Sequence, residues 1–192
     1  MRETAVREEA RRVLELAKER GALTFGRFRL SSGRESSYYF DGRLLSLDPE
    51  GAYRIARALL PLLRGLGAQA VAGPTLGGDP IVSAVALLSY IQGSPMPGVI
   101  VRKEAKGHGR GRMVEGPLPE GGRVAVVDDT CTTGSSLLHA VRAVEEAGCT
   151  VVGVLCVLDR REGGRERVRE LGYPFLSLLE ATPEGDIRLS DL

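Results

Sequence analysis

From Thr4 to Arg20 the apolar residues Val6, Ala10, Val13, Leu14 and Ala17 recur at a helical period, and Gly21 ends the stretch. The rhythm then changes. Phe25, Phe28 and Leu30 lead into Ser31-Ser32-Gly33, a turn, and Ser36-Ser37-Tyr38-Tyr39-Phe40 reads as a strand, so residues 22–45 predict a small antiparallel element. Asp48-Pro49-Glu50 opens a second helix with proline at its first position, and Tyr53, Ala56, Leu59, Leu60 and Leu63 form its stripe up to Gly65 and Gly67.

Four short runs follow, each bounded by glycine, proline or a charge: Ala70 to Ala72, Val99 to Val101, Val124 to Val127 and Val151 to Leu158. Their continuous, β-branched character suits strands covered on both faces. Helical stretches lie between them at about 80–92, 135–147 and 162–171. The alternation predicts an α/β fold: a central, mainly parallel sheet flanked by helices, with a small N-terminal hood made of one helix and antiparallel strands. No repeat, low-complexity tract or linker interrupts it. The expectation is a single domain over residues 1–192, with the hood at about 1–45 and the α/β core at 46–180.

Composition narrows the class. Hydrophobic residues make up 43% of the chain, enough for a core, and the three cysteines (Cys131, Cys149, Cys156) have no CxxC spacing, which argues against a disulfide framework or a zinc site. The longest apolar run, Pro80 to Ile91, falls short of the about 20 residues that span a bilayer. The first ten residues mix acids and bases and lack a signal peptide's apolar stretch. A soluble, cytoplasmic protein is expected, without membrane or nucleic-acid partners.

Charge is the informative feature. Bases and acids nearly balance at 26 and 25, yet 23 of the bases are arginine and two of the three lysines, Lys103 and Lys106, share one Gly-rich segment. Arg102, Lys103, Lys106, Arg110 and Arg112 lie there against Glu104 alone, so that segment carries +4 and the rest of the chain −3. This pattern describes one local anion trap on a near-neutral body, not a surface for nucleic acid.

Open parallel sheets bind ligands at the carboxyl ends of their strands. The run Val124-Ala-Val-Val-Asp128-Asp129-Thr130-Cys131-Thr132-Thr133-Gly134-Ser135-Ser136 is the most specific of these ends. A buried strand there delivers two carboxylates, and hydroxyls around a glycine then open a helix, whose unpaired N–H groups and dipole attract a phosphate. Thr132, Thr133, Ser135 and Ser136 can donate to that phosphate. Asp128 and Asp129 suit sugar hydroxyls, a metal held through water, or positive charge developing on a sugar. No GxxxxGK[ST] exists, and Gly107, Gly109 and Gly111 do not follow a strand into a helix, so neither a P-loop nor a dinucleotide fingerprint is present.

Val124 to Ser136 resembles the 5-phosphoribosyl-1-diphosphate (PRPP) binding motif of the type I phosphoribosyltransferases. Three further segments resemble orotate phosphoribosyltransferase in particular: Phe28 to Phe40 (FxLxSGxxSxxYF), Arg102 to Gly109 (RKExKxHG) and Leu158-Asp159-Arg160. The resemblance implies transfer of phosphoribosyl from PRPP to orotate, with Mg2+ required and carried by PRPP, a water standing between it and Asp128 or Asp129. It implies that Arg102, Lys106 and His108 bind the diphosphate, that Lys103 reaches into the neighbouring subunit of a homodimer, and that Lys103, Lys106, His108, Asp128 and Asp129 carry catalysis. The PRPP seat would also include Thr130, Cys131, Thr132, Thr133, Gly134, Ser135 and Ser136. Arg160 would read the orotate carboxylate as a planar fork, beside Thr132, Tyr39 and Phe40, for which two aromatics core packing is an equally good explanation.

Two departures stand out. Some members of that family have lysine where this chain has Ser31, and a Tyr-Lys pair where it has Leu76 and Gly77. Two cationic contacts to PRPP are therefore missing, and a greater reliance on the 102–112 loop and on magnesium is expected. Gly73 to Asp79 still reads as a cradle of backbone N–H groups. His139, Cys149 and Cys156 read as structural, and Cys131 as a filler next to a helix start. Two other functions share the PRPP motif: phosphoribosyl transfer to another base, and a regulator that senses PRPP on the same fold.

Overall fold

The computed structural model describes residues 2–29, 35–104 and 113–191. Helix α1 (Arg2–Glu19) precedes a two-stranded antiparallel ribbon, β1 (Leu23–Arg29) and β2 (Glu35–Phe40), in which Leu23 faces Phe40 and Phe25 faces Tyr38. A short α2 (Gly42–Ser46), capped by the Asp41 carboxylate, leads into α3 (Pro49–Gly65), where Asp48 accepts from the Gly51 N–H and Pro49 starts the helix. The main sheet then forms from β3 (Ala70–Pro74), β4 (Gly98–Val101), β5 (Val114–Glu115), β6 (Arg123–Cys131), β7 (Thr150–Asp159), β8 (Phe175–Ala181) and β9 (Ile187–Leu189). Helices α4 (Gly78–Ile91), α5 (Ser135–Glu146) and α6 (Gly164–Glu170) connect them.

The seven strands lie in the order β5-β4-β3-β6-β7-β8-β9. Pairings among β4, β3, β6, β7 and β8 are parallel, and the two edge strands are antiparallel. The expected mainly parallel sheet forms, and the antiparallel strands expected of the hood form the two-stranded ribbon. Alternation along the strands divides the interior into two cores. Val71, Ala125, Val127 and Leu155 face α1, α3 and α4, while Ala70, Ala72, Val124, Val126 and Val154 face α5 and Val168 of α6. The N-terminal helix is itself part of the first core: Ala10, Val13, Leu16 and Ala17 are fully buried there. The ribbon is a separate two-stranded sheet whose Leu23, Tyr38 and Phe40 join the same core.

Three of the strands were not predicted. Glu115, Ser177, Glu180 and Arg188 put charge or hydroxyl groups inside β5, β8 and β9, which breaks the apolar run that a local reading relies on. Tertiary contacts satisfy them: Arg165 and Arg188 both reach the buried Glu180 carboxylate, and the Ser177 and Ser190 hydroxyls bond each other. Among the described residues no helix is long and apolar enough to cross a membrane.

The site follows from strand order. From β3 the chain crosses through α4 to β4 on one side, and from β6 through α5 to β7 on the other. Right-handed crossovers running in opposite directions put α4 and α5 on opposite faces. A crevice opens between the carboxyl ends of β3 and β6, the switch point where such folds hold ligands.

Candidate active site

Strand β6 continues past its apolar run. It was predicted to end at Val127, yet Asp128, Thr130 and Cys131 still pair with Cys156, Leu158 and Asp159 of β7, so the motif's first four polar positions stand on a rigid strand and the loop proper is short. Gly134, at φ 76°, then turns the chain into α5, whose first turn has no side-chain cap. Its N–H groups therefore remain for a ligand. Thr130, Thr132, Thr133, Gly134, Ser135, Ser136 and Leu137 line a recess of about 80 Å3. Cys131 is buried, so it can contribute to this recess through its main chain only.

Asp128 is also buried, and its Oδ1 accepts from the Asp129 N–H at 2.9 Å. Burial, then the charge of Asp129, pushes the Asp128 carboxyl from 3.8 up to about 8. Burial raises Asp129 as well. At neutral pH the buried Asp128 carboxyl therefore favours its protonated form, since burial and the adjacent acid both disfavour the charge.

The loop after β3 packs directly on this pair. A Cβ on Gly77 would come within 2.5 Å of the Asp128 Oδ1 and 2.6 Å of the Asp129 Oδ1. The missing lysine at this position thus has a steric counterpart: the acids fill the space where a side chain would start. The Thr75 hydroxyl donates to the Asp79 carboxylate at 2.8 Å, and the Thr75–Leu76 peptide is cis.

Of the basic segment, Arg102 and Lys103 are placed by the structure, while Lys106 and His108 lie outside the described residues, as does Ser31. The Arg102 carbonyl meets the His139 Nε2 at 2.8 Å, which ties the start of this segment to α5 and gives His139 the structural role expected of it. Lys103 lines a second recess, of about 260 Å3, with Pro74, Thr75, Val101, Ser135, Ser136 and His139. It adjoins the first along the start of α5.

On the other flank, the Arg160 guanidinium stacks 4.8 Å from the centre of the Tyr38 ring, and its Nε donates to Glu162 at 3.0 Å. The side chain is 8% exposed, so these contacts fix it in orientation. Thr132 is half-buried, Tyr39 is exposed against Phe28, and Phe40 is buried in the core. Tyr38, not Tyr39, is the aromatic that touches Arg160. The sequence reading missed Tyr38, Glu162 and the contact of Gly77 with the acids. The YYF run was the one available signal, and it does not say which ring faces inward.

Residues 52–171 match the family model described as the phosphoribosyl transferase domain. The orotate phosphoribosyltransferase of Aquifex aeolicus is 48% identical over 153 residues, covering 80% of this chain and 84% of that protein. The chain belongs to the orotate phosphoribosyltransferases. Among solved members of this family, the Mycobacterium tuberculosis H37Rv enzyme in complex with Fe(III) dicitrate superposes with a TM-score of 0.78 at 39% identity, covering 90% of this chain and 96% of that one. The same enzyme in complex with PRPP gives 0.75 at 36% identity, with the same coverage.

Proposed function

We propose that this chain transfers the phosphoribosyl group of PRPP to orotate, giving orotidine 5′-monophosphate and diphosphate, in the crevice between the β3 and β6 ends. The observation that carries the reading is the meeting, at one switch point, of an uncapped helix start, a buried acid pair and a stacked arginine. The recess at Thr130 to Leu137 takes the 5′-phosphate, through N–H groups and hydroxyls. The ribose lies along Asp128 and Asp129, and the diphosphate extends toward Thr75 to Gly77 and Lys103. Arg102, with Lys106 and His108 beyond the described residues, supplies the further diphosphate contacts that the family resemblance implies. Arg160 offers its terminal nitrogens to the orotate carboxylate, since Glu162 takes the Nε. Thr132 and the exposed Tyr39 flank the base; Phe40 supports them from the core.

Loss of diphosphate leaves the ribose with oxocarbenium character, and the acid pair offers its oxygens to that developing positive charge. Basic side chains over the diphosphate stabilise the leaving group and keep out water. Magnesium, when bound with PRPP, neutralises charge on the diphosphate. Among the described residues no three His, Cys, Asp or Glu side chains form a group that could hold a metal ion. The buried pair Asp128 and Asp129 suits a metal carried by substrate and met through water. Two copies of the chain form a cytoplasmic dimer, in which Lys103 acts across the subunits.

Following orotate consumption in the presence of PRPP, with and without magnesium, tests the reaction. Orotate should disappear only when the metal is present, and adenine and hypoxanthine should not substitute. Arg160→Ala should raise the orotate KM about tenfold or more, the loss of a charged hydrogen bond, with the PRPP KM within about twofold. Consumption of a purine in place of orotate would overturn the reading.

A further inference from the structure

The phosphate loop has a back as well as a front. Its three successive carbonyls, Cys131, Thr132 and Thr133, accept from the Arg160 N–H at 2.9 Å, the Gly164 N–H at 3.0 Å and the Arg167 Nη1 at 3.0 Å. All three donors come from β7's end and α6. A peptide unit is planar, so fixing a carbonyl on one side fixes the next N–H on the other. A flipped unit would aim an acceptor at the place where a phosphate needs a donor.

The packing behind the loop is tight enough to matter. A Cβ on Gly164 would come 2.5 Å from the Cys131 Sγ and 2.7 Å from both the Gly134 N and the Thr132 O. Two of the three donors are main-chain groups. The third is the side chain of Arg167, which is exposed on α6 and far from the recess opening in sequence. We infer that Arg167 is a positioning residue for PRPP, holding the Thr133 carbonyl away from the phosphate recess. It never touches substrate. This rests on the reading that the recess receives the 5′-phosphate.

The test uses the full-length enzyme with two separate competitors of PRPP: ribose 5-phosphate, which reports the recess, and magnesium diphosphate, which reports the other end. For Arg167→Ala, the ribose 5-phosphate inhibition constant and the PRPP KM should rise about two- to tenfold, the loss of one hydrogen bond. The magnesium diphosphate constant and the orotate KM should stay unchanged, and Arg167→Lys, which keeps a cationic donor, should recover part of the loss. No change in ribose 5-phosphate inhibition, or equal weakening of both competitors, overturns the inference. Ser135→Ala and Ser136→Ala separate it from the reading beneath it. If they weaken ribose 5-phosphate while Arg167→Ala does not, the brace alone is wrong. If they leave it unaffected, the recess is not the phosphate seat and the inference falls with it.

Discussion

Asp128 and Asp129 show how neighbouring residues acquire different chemistry from where a strand puts them. On an exposed loop both would be ionised at neutral pH, but at the end of β6 they are enclosed by Gly42 and Gly77, and burial raises both carboxyls. The sign of the consequence follows from linkage. A carboxyl raised from 3.8 to about 8 is neutral in the folded chain and ionised in the unfolded one between those values. Its neutral form leaves stability intact below the lower value. Stability then falls as pH rises from 3.8 toward about 8, as burial makes ionisation costly, and levels off above that. Asp128→Asn should therefore melt at least about 2 °C above the parent at pH 8 and differ little at pH 4, while losing most of its transferase activity. Thermal melts of the ligand-free protein at both pH values check this, and a variant that melts lower at pH 8 would sink it.

Among the elements, α1 is held by two kinds of contact. Its apolar stripe is fully buried, with Leu16 at 0% exposure, while Glu9 on the adjoining face bonds Arg54 at 3.1 Å and Arg57 at 2.6 Å. Both arginines are more than a third exposed, so water screens these pairs. The apolar side should dominate. Leu16→Ala is expected to cost about 2–5 kcal/mol and Glu9→Gln about 1 kcal/mol or less, read from urea unfolding. A reversed order would mean that the ion pairs, not the stripe, dock the helix. The same distinction explains β8. A strand carrying Ser177 and Glu180 has no uninterrupted apolar run, and it becomes a strand because arginines from α6 and β9 meet its acid.

At the scale of the whole molecule, the charge imbalance places a +4 segment against a −3 body. In the single chain Lys103 lines a recess beside its own α5, whereas the proposed dimer sends it across the subunits. Mixing two inactive variants distinguishes the arrangements. Lys103→Ala lacks the lysine, and Gly134→Val spoils the phosphate loop. If the lysine acts in trans, random heterodimers restore one complete site in half the molecules, about a quarter of the parent activity. If it acts within its own subunit, the mixture stays inactive.

The sequence alone determined what is encoded locally. The period of apolar residues distinguishes helix from strand, and unbroken β-branched runs mark strands covered on both faces. The run from Val124 to Ser136 keeps acids, hydroxyls and a helix start within a few residues, so its chemistry survives any uncertainty about the rest. Strand order has no such local signature, because it depends on which strands find each other over long separations. Only the tertiary structure could therefore bring Gly77 against Asp128 and Asp129, stack Tyr38 on Arg160 and set Arg167 behind Thr133. Each of these contacts joins residues from different elements, and it forms because β3, β6 and β7 lie side by side and the ribbon brings Tyr38 to the end of β7.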